Sequence, residues 1–225
     1  QFGLVGSEMC IRDSQKILMK NKNLILVRHG QSEWNQKNIF TGWENPGLTQ
    51  QGREEAKLAG ILINDLEIKF NYLFTSALVR AQLTGSIILD NVNQENVKII
   101  KNKALNERYY GDLQGLNKDE CRNKWGEDQV QIWRRSYTVG PPGGESLKET
   151  GERVMPYFLN EIFPLILKGE NIIVSAHGNS LRSLIKYLDK LSSEEIVKLE
   201  IPTGSPIHYL FDDDGEILNK KNLIE

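Results

Sequence analysis

Short apolar runs alternate along this chain with longer amphipathic stretches. Residues 24–27 (Leu-Ile-Leu-Val), 72–75 (Tyr-Leu-Phe-Thr) and 172–176 (Ile-Ile-Val-Ser-Ala) are runs of strand length, the pattern of strands covered on both faces. A further short strand is read at 97–100. Between the runs, apolar residues recur at helical spacing. Ala56, Ala59, Ile63 and Leu66 form one stripe behind Thr49, a candidate N-cap. A second helix is read from Ser76 to about Asp90, and 117–135 also reads as helical. Ser146 and Glu149 match a capping box, opening a helix that runs to a glycine C-cap at Gly169, with Pro156 and Pro164 expected to kink or segment it. A helix near 180–191 and a short one capped by Ser192 follow. Residues 207–211 and 216–218 flank the turn Asp212-Asp213-Asp214-Gly215 and predict a terminal hairpin. The alternation predicts an α/β fold: a mostly parallel, doubly wound sheet with helices on both faces. One domain is expected over 19–225, because the Gly140-Pro141-Pro142-Gly143-Gly144 stretch is too short for an interdomain linker.

Composition narrows the function classes. The 225 residues carry a net charge of −2, with 39% hydrophobic and 26% charged residues, ordinary for a soluble chain. There is no global basic field for nucleic acid or an anionic membrane, and no apolar run near the roughly 20 residues of a membrane helix. An anionic ligand must therefore be held by locally clustered arginine and lysine. Two cysteines, Cys10 and Cys121, make neither a metal motif nor a disulfide framework, and a cytoplasmic location is expected. Residues 1–18 lack the layout of a signal peptide and resemble translated sequencing-adapter sequence. Met19 is read as the natural start, and 1–18 as a non-native, disordered and functionally silent tail.

Two of the chain's three histidines stand on matching frames. Arg28-His29-Gly30 ends the first apolar run, and Ala176-His177-Gly178-Asn179 ends the run at 172–176. In a parallel sheet both project from carboxyl ends of strands, where ligands bind. A neutral imidazole is a competent nucleophile toward phosphorus, and phosphoryl transfer needs cations around the equatorial oxygens. Arg28 precedes one histidine directly, and Gly30 leaves room beside it. Arg80 lies one turn inside the helix that follows the 72–75 strand, a position suited to phosphate. Glu107, in Leu105-Asn106-Glu107-Arg108-Tyr109-Tyr110-Gly111, is the candidate acid and base. Arg134 and Arg135, with Lys118, form a candidate clamp; two adjacent arginines reach one ligand only from a helix end or a loop. His29 is expected to be neutral, because neighbouring arginines disfavour a second positive charge. His208 and the four tryptophans Trp34, Trp43, Trp125 and Trp133 are read as structural.

The run Leu-Val-Arg-His-Gly-Gln-Ser-Glu-Trp-Asn at 26–35 resembles the signature of the histidine phosphatase superfamily, in its phosphoglycerate mutase branch. The resemblance extends through Phe40-Thr41-Gly42-Trp43, the 75–84 segment, residues 106–118, 133–137, Gly144-Glu145-Ser146-Leu147, 176–182 and Ile201-Pro202-Thr203-Gly204. It is to the 2,3-bisphosphoglycerate-dependent members. That resemblance implies the histidine phosphatase fold, phosphorylation of His29, and Arg28, Arg80 and His177 around the phosphoryl group, with Glu107 as proton donor and acceptor. It further implies that Asn35, Thr41, Gly42, Tyr110, Lys118, Arg134, Arg135, Gly178 and Asn179 contact substrate or phosphate.

Three departures stand out: Tyr109 at a position where many members carry histidine, a short segment between Arg135 and Gly144, and a short tail beyond Phe211. The expected activity is interconversion of 2-phosphoglycerate and 3-phosphoglycerate in glycolysis and gluconeogenesis, with 2,3-bisphosphoglycerate as primer and no metal. A phosphomonoesterase on the same fold is the alternative. A non-catalytic scaffold fits poorly, since His29, Glu107 and His177 are all present. Small phosphoglycerates are the expected partners, with no nucleic acid and no membrane. Oligomeric state stays open, a homodimer or homotetramer being the assemblies considered.

Overall fold

In the computed structural model, which describes residues 22–224, the first apolar run lies inside β1 (Lys22–Arg28). The expectations for the 1–18 tail and for a start at Met19 lie outside the described residues. Then follow α1 (Glu33–Gln36), α2 (Gln50–Asn64), β2 (Tyr72–Thr75), α3 (Val79–Val92) and β3 (Lys98–Lys101). Beyond them come α4 (Lys118–Trp125), α5 (Glu127–Arg135), α6 (Leu147–Tyr157), α7 (Phe163–Leu167), β4 (Ile172–Ala176), α8 (Gly178–Leu188) and α9 (Ser193–Ile196). The hairpin β5 (Pro206–Phe211) and β6 (Ile217–Asn222) closes the described chain.

The strands form one sheet in the order β3-β2-β4-β1-β5-β6. The first four are mutually parallel, and β5 and β6 add antiparallel to the β1 edge. Side-chain alternation divides β1 between two cores. Leu24 and Leu26 pack with Val154, Phe158, Leu181 and Leu184 beneath α6 and α8. Ile25 and Val27 pack with Ala59, Ile63, Ile88 and Val92 beneath α2 and α3. All four β1 side chains are fully buried, each worth about 1.5–3 kcal/mol of transfer free energy. Among the described residues, no helix is long and apolar enough to cross a membrane.

Element boundaries follow local chemistry. Thr49 caps α2 by accepting from the Gly52 N–H, and Ser146 and Glu149 close a reciprocal capping box at α6. The helical stretch at 117–135 is split at Gly126, whose φ of +84° ends α4 and begins α5. Pro156 and Pro164 segment the next helix: α6 passes into a π-helical turn (Phe158–Ile162) and then α7, which Gly169 ends at φ +85°. Two starts differ from the sequence reading. α3 begins at Val79, three residues after Ser76, with Leu78 at the N-cap and no side-chain cap. α8 begins at Gly178, directly after its histidine.

The topology makes a crevice. After β1 the chain crosses to the α2 and α3 side, and after β4 it crosses to the α6 and α8 side. β1 and β4 are neighbours, so a gap opens between their carboxyl ends, the switch point where α/β sheets bind ligands.

Candidate active site

Strand register brings the two His-Gly frames together. Arg28 pairs with Ala176 across β1 and β4, so the next residues, His29 and His177, leave adjacent strands side by side. Their rings meet edge to face with centroids 5.0 Å apart. β2 flanks β4 on the other side with Thr75 opposite Ser175, which brings Ser76 to His177.

Among the described residues, one hydrogen bond holds each imidazole. His29 Nδ1 lies 2.7 Å from the Gly30 carbonyl oxygen. A carbonyl only accepts, so we assign the proton to Nδ1, which leaves the Nε2 lone pair free. His177 Nε2 lies 2.7 Å from Ser76 Oγ, which also accepts the Leu78 N–H. Donation of the Ser76 hydroxyl to Nε2 assigns the His177 proton to Nδ1, a buried atom with no partner among the described residues. That N–H is a ready donor for a phosphoryl oxygen. Burial, then Arg80, then Arg28 hold His29 well below the usual imidazole range; burial and Arg80 likewise lead for His177. Both rings are therefore neutral at pH 7, as the sequence reading expected for His29.

A pH effect on stability follows. Unfolded histidine takes up a proton below about pH 6.5, whereas these two resist it in the fold. The unfolded state then binds more protons, so stability falls as pH falls through that value. Denaturant titrations at about pH 7 and about pH 5 should show a smaller loss for His29→Gln than for the unsubstituted chain. Equal losses would contradict the neutral assignment.

Gly30 has a different reason from the one its sequence position indicated. A Cβ there would stand 2.0 Å from the Gly52 carbonyl oxygen, and one on Gly52 would stand 2.1 Å from the Gln31 oxygen. The two glycines let the His-Gly turn lie backbone to backbone on the first turn of α2. The Gly30 N–H donates to Thr84 Oγ1 on α3.

Arginines surround the pair. Arg80 is 1% exposed, and its two terminal nitrogens donate to the carbonyls of Glu44 and Gly42 at 2.8 Å. Burial lowers its pKa to about 10, with Glu107 opposing that shift, and it stays charged at neutral pH. Arg28 Nη1 donates to the Ile201 carbonyl at 2.7 Å, while its Nε is buried without a partner among the described residues. A Cβ on Gly178 would lie 3.6 Å from Arg28 Nε, 3.6 Å from Arg182 Nη1 and 3.7 Å from Glu107 Oε2. Three functional groups thus converge on the bare face of Gly178.

Glu107 is held through one oxygen. Its Oε1 accepts the N–H of Arg108 at 2.7 Å and of Asn179, in the first turn of α8, at 3.1 Å. Its backbone carbonyl accepts from Trp43 Nε1 at 2.7 Å and Arg153 Nη2 at 2.8 Å. Arg153 is itself forked onto Glu145, whose Oε2 also accepts the Tyr109 N–H. This bracing leaves Oε2 for the cavity. Tyr110 accepts from Arg108 Nη2 and, at 3.4 Å, from Asn179 Nδ2. Burial opposes its ionisation, yet the Arg108 guanidinium brings its pKa below the usual phenol value.

The cavity measures about 220 Å³. Arg28, His29, Asn35, Thr41, Gly42, Arg80, Glu107, Tyr110, Lys118, Arg134, Arg135, Gly178 and Asn179 all line it, and His177 lies buried against His29. Arg134 and Arg135 reach it because they end α5, as adjacent arginines facing one ligand require. Burial lowers the pKa of Lys118 and of Arg134. Asn35 turns its Oδ1 to the N–H and hydroxyl of Ser32.

The structure adds residues the sequence reading passed over. Arg182 and Glu200 also line the cavity, and Ser76, Arg153 and Glu145 position the residues that do. Arg182 was legible in principle, one helical turn after Gly178 and Asn179. Trp43, read as packing, carries a hydrogen bond to the Glu107 segment. His208 fits its structural reading, bonded to Asn23 Oδ1 at 2.8 Å.

The arrangement pairs a neutral imidazole nucleophile with a second imidazole N–H, clustered guanidinium groups and one carboxylate. It suits transfer of a phosphoryl group between His29 and an oxygen held near Glu107. A protein of Parvibaculum lavamentivorans named 2,3-bisphosphoglycerate-dependent phosphoglycerate mutase is 60% identical over 202 residues, 90% of this chain and 96% of that one. The Schizosaccharomyces pombe phosphoglycerate mutase is 57% identical over 88% of this chain and 94% of its own. A mycobacterial glucosyl-3-phosphoglycerate phosphatase shares the fold with a TM-score of 0.73 at 21% identity, over 90% of this chain and 97% of that one. A phosphoglycerate mutase from Bacillus anthracis superposes with a TM-score of 0.71 at 22% identity, over 91% and 93% of the two chains. Residues 24–224 match the profile of histidine phosphatases, so the paired histidines at the sheet's switch point have a family: this chain belongs to the histidine phosphatase superfamily, branch 1.

Proposed function

We propose that this chain is an isomerase interconverting 2-phosphoglycerate and 3-phosphoglycerate, the glycolytic and gluconeogenic step, through a phosphohistidine at His29 primed by 2,3-bisphosphoglycerate. The observation that carries the reading is near-full-length identity of 57–60% to proteins named for this reaction. The site chemistry supports it independently.

His29 Nε2 attacks the phosphorus of a bound phosphate monoester, and the P–O ester bond breaks as the N–P bond forms. Glu107 Oε2 gives the proton to the departing oxygen. In the reverse direction Glu107 takes the proton from the substrate hydroxyl as that oxygen attacks the phosphohistidine and the N–P bond breaks. Arg28, Arg80 and the His177 Nδ1–H bind the equatorial oxygens, where charge is spread in the transition state. Asn35, Thr41, Gly42, Tyr110, Gly178 and Asn179 shape the cavity around the substrate, and Lys118, Arg134 and Arg135 hold its second anionic group. 2,3-bisphosphoglycerate supplies the priming phosphoryl group. Among the described residues, Arg28 Nε and His177 Nδ1 have no partner and six cations line the cavity, a setting that suits such a polyanion.

The phosphomonoesterase alternative shares the histidine pair but transfers the group to water. Lys118, Arg134 and Arg135 favour the isomerase, because a second anionic group on the substrate gives them a partner. Conversion of 3-phosphoglycerate assayed in EDTA, with and without 2,3-bisphosphoglycerate, separates the readings. Isomerisation that requires the bisphosphate and ignores the chelator is expected. Release of inorganic phosphate without isomerisation moves the chain to the phosphatases.

A further inference from the structure

Among the described residues, six cations and two carboxylates line the cavity. Glu107 has a place in the proton transfer, and Glu200 has none. Glu200 stands on the segment between α9 and β5 at the exposed rim, its side chain 66% accessible, while His29 is 3% exposed at the floor. Its Oε1 accepts from Arg135 Nη2, and its Oε2 lies 3.5 Å from Arg182 Nη2. The carboxylate therefore ties the end of α5 to α8 across the wall.

Its neighbours address arginines too. The Leu199 carbonyl accepts from Arg182 Nε at 2.9 Å, and the Ile201 carbonyl accepts from Arg28 Nη1 at 2.7 Å. Carbonyls orient a guanidinium without cancelling its charge. Glu200 does cancel charge, in a cavity whose other features favour anions, and it occupies the donor faces an incoming anion would use.

The geometry points to Glu200 as a specificity-determining residue, a built-in counter-anion on Arg135 and Arg182 that the distal anionic group of a ligand must displace. It penalises retention of ligands bearing two separated anionic groups and leaves the phosphoryl position at His29 largely untouched. For the isomerase reading, on which its catalytic meaning rests, this device keeps a bisphosphate loose enough to turn over in the site.

Glu200→Gln preserves shape and removes the charge. Calorimetric titration at low ionic strength with tripolyphosphate, a linear polyanion, and sulfate, a compact one, reads the effect. Tripolyphosphate is expected to bind about 3- to 10-fold tighter to the variant, with sulfate changing less than about twofold, and added salt should shrink the gain. Glu194→Gln, the same charge change on exposed α9, should alter neither affinity. Weaker or unchanged tripolyphosphate binding would make Glu200 a tether only, and an equal gain for both anions would make it a general field effect; either overturns the proposal. These probes need no turnover, so a failure of 3-phosphoglycerate isomerisation in the unsubstituted chain speaks separately against the isomerase reading.

Discussion

His29→Gln is expected to lose isomerisation by at least about 10⁴-fold in kcat, because every phosphoryl transfer in the account passes through Nε2. Glutamine fills a similar volume and keeps a polar end, so the buried turn against Gly52 survives. The cavity cations remain, and substrate affinity should change by less than about tenfold. In the proposed mechanism the covalent nucleophile contributes to kcat, while Lys118, Arg134 and Arg135, which line the cavity, contribute to binding. A stopped assay for 2-phosphoglycerate formation, paired with calorimetric binding of 3-phosphoglycerate, measures both. Retention of more than a few per cent of activity would mean that phosphate passes between substrate oxygens without the imidazole.

Glu107→Gln is the second large effect, a fall of about 10²- to 10⁴-fold in kcat with little change in KM. The amide oxygen can still accept the Arg108 and Asn179 N–H groups, so the segment stays braced by Trp43 and Arg153. What is lost is proton delivery at the atom facing Gly178. A glyceryl alkoxide is a poor leaving group and needs that proton, whereas p-nitrophenolate leaves without one. Phosphorylation of the enzyme by p-nitrophenyl phosphate should therefore suffer far less than phosphorylation by 2,3-bisphosphoglycerate. An equal loss with both donors would show that Glu107 acts through structure or charge rather than as the proton donor.

The frame of the fold was legible because its signals are local. The apolar runs at 24–27 and 172–176 read as buried strands from their length and composition, and each ends in His-Gly. Thr49 and Ser146 marked helix starts through chemistry confined to one turn. Pairing of β1 with β4 was not legible, since register depends on partners about 150 residues apart, and it is this register that puts His29 beside His177. The same limit hid Glu200 and Arg153, whose partners are remote in sequence. It also misassigned the reason for Gly30, whose constraint is the Gly52 backbone on another element. Trp43 looked like packing because nothing in its neighbourhood announces a bond to the Glu107 carbonyl. The adjacent arginines Arg134 and Arg135 were read correctly as needing a helix end, a purely geometric inference.

The most direct test of the central claim is to expose the purified chain to 2,3-bisphosphoglycerate and locate the phosphoryl group by peptide mass spectrometry under alkaline conditions that preserve phosphohistidine. One phosphoryl group is expected, on His29, absent in His29→Gln and discharged on adding 3-phosphoglycerate with formation of product. Phosphate on His177 or another residue, or product formed while no phosphorylated chain can be trapped, would contradict it.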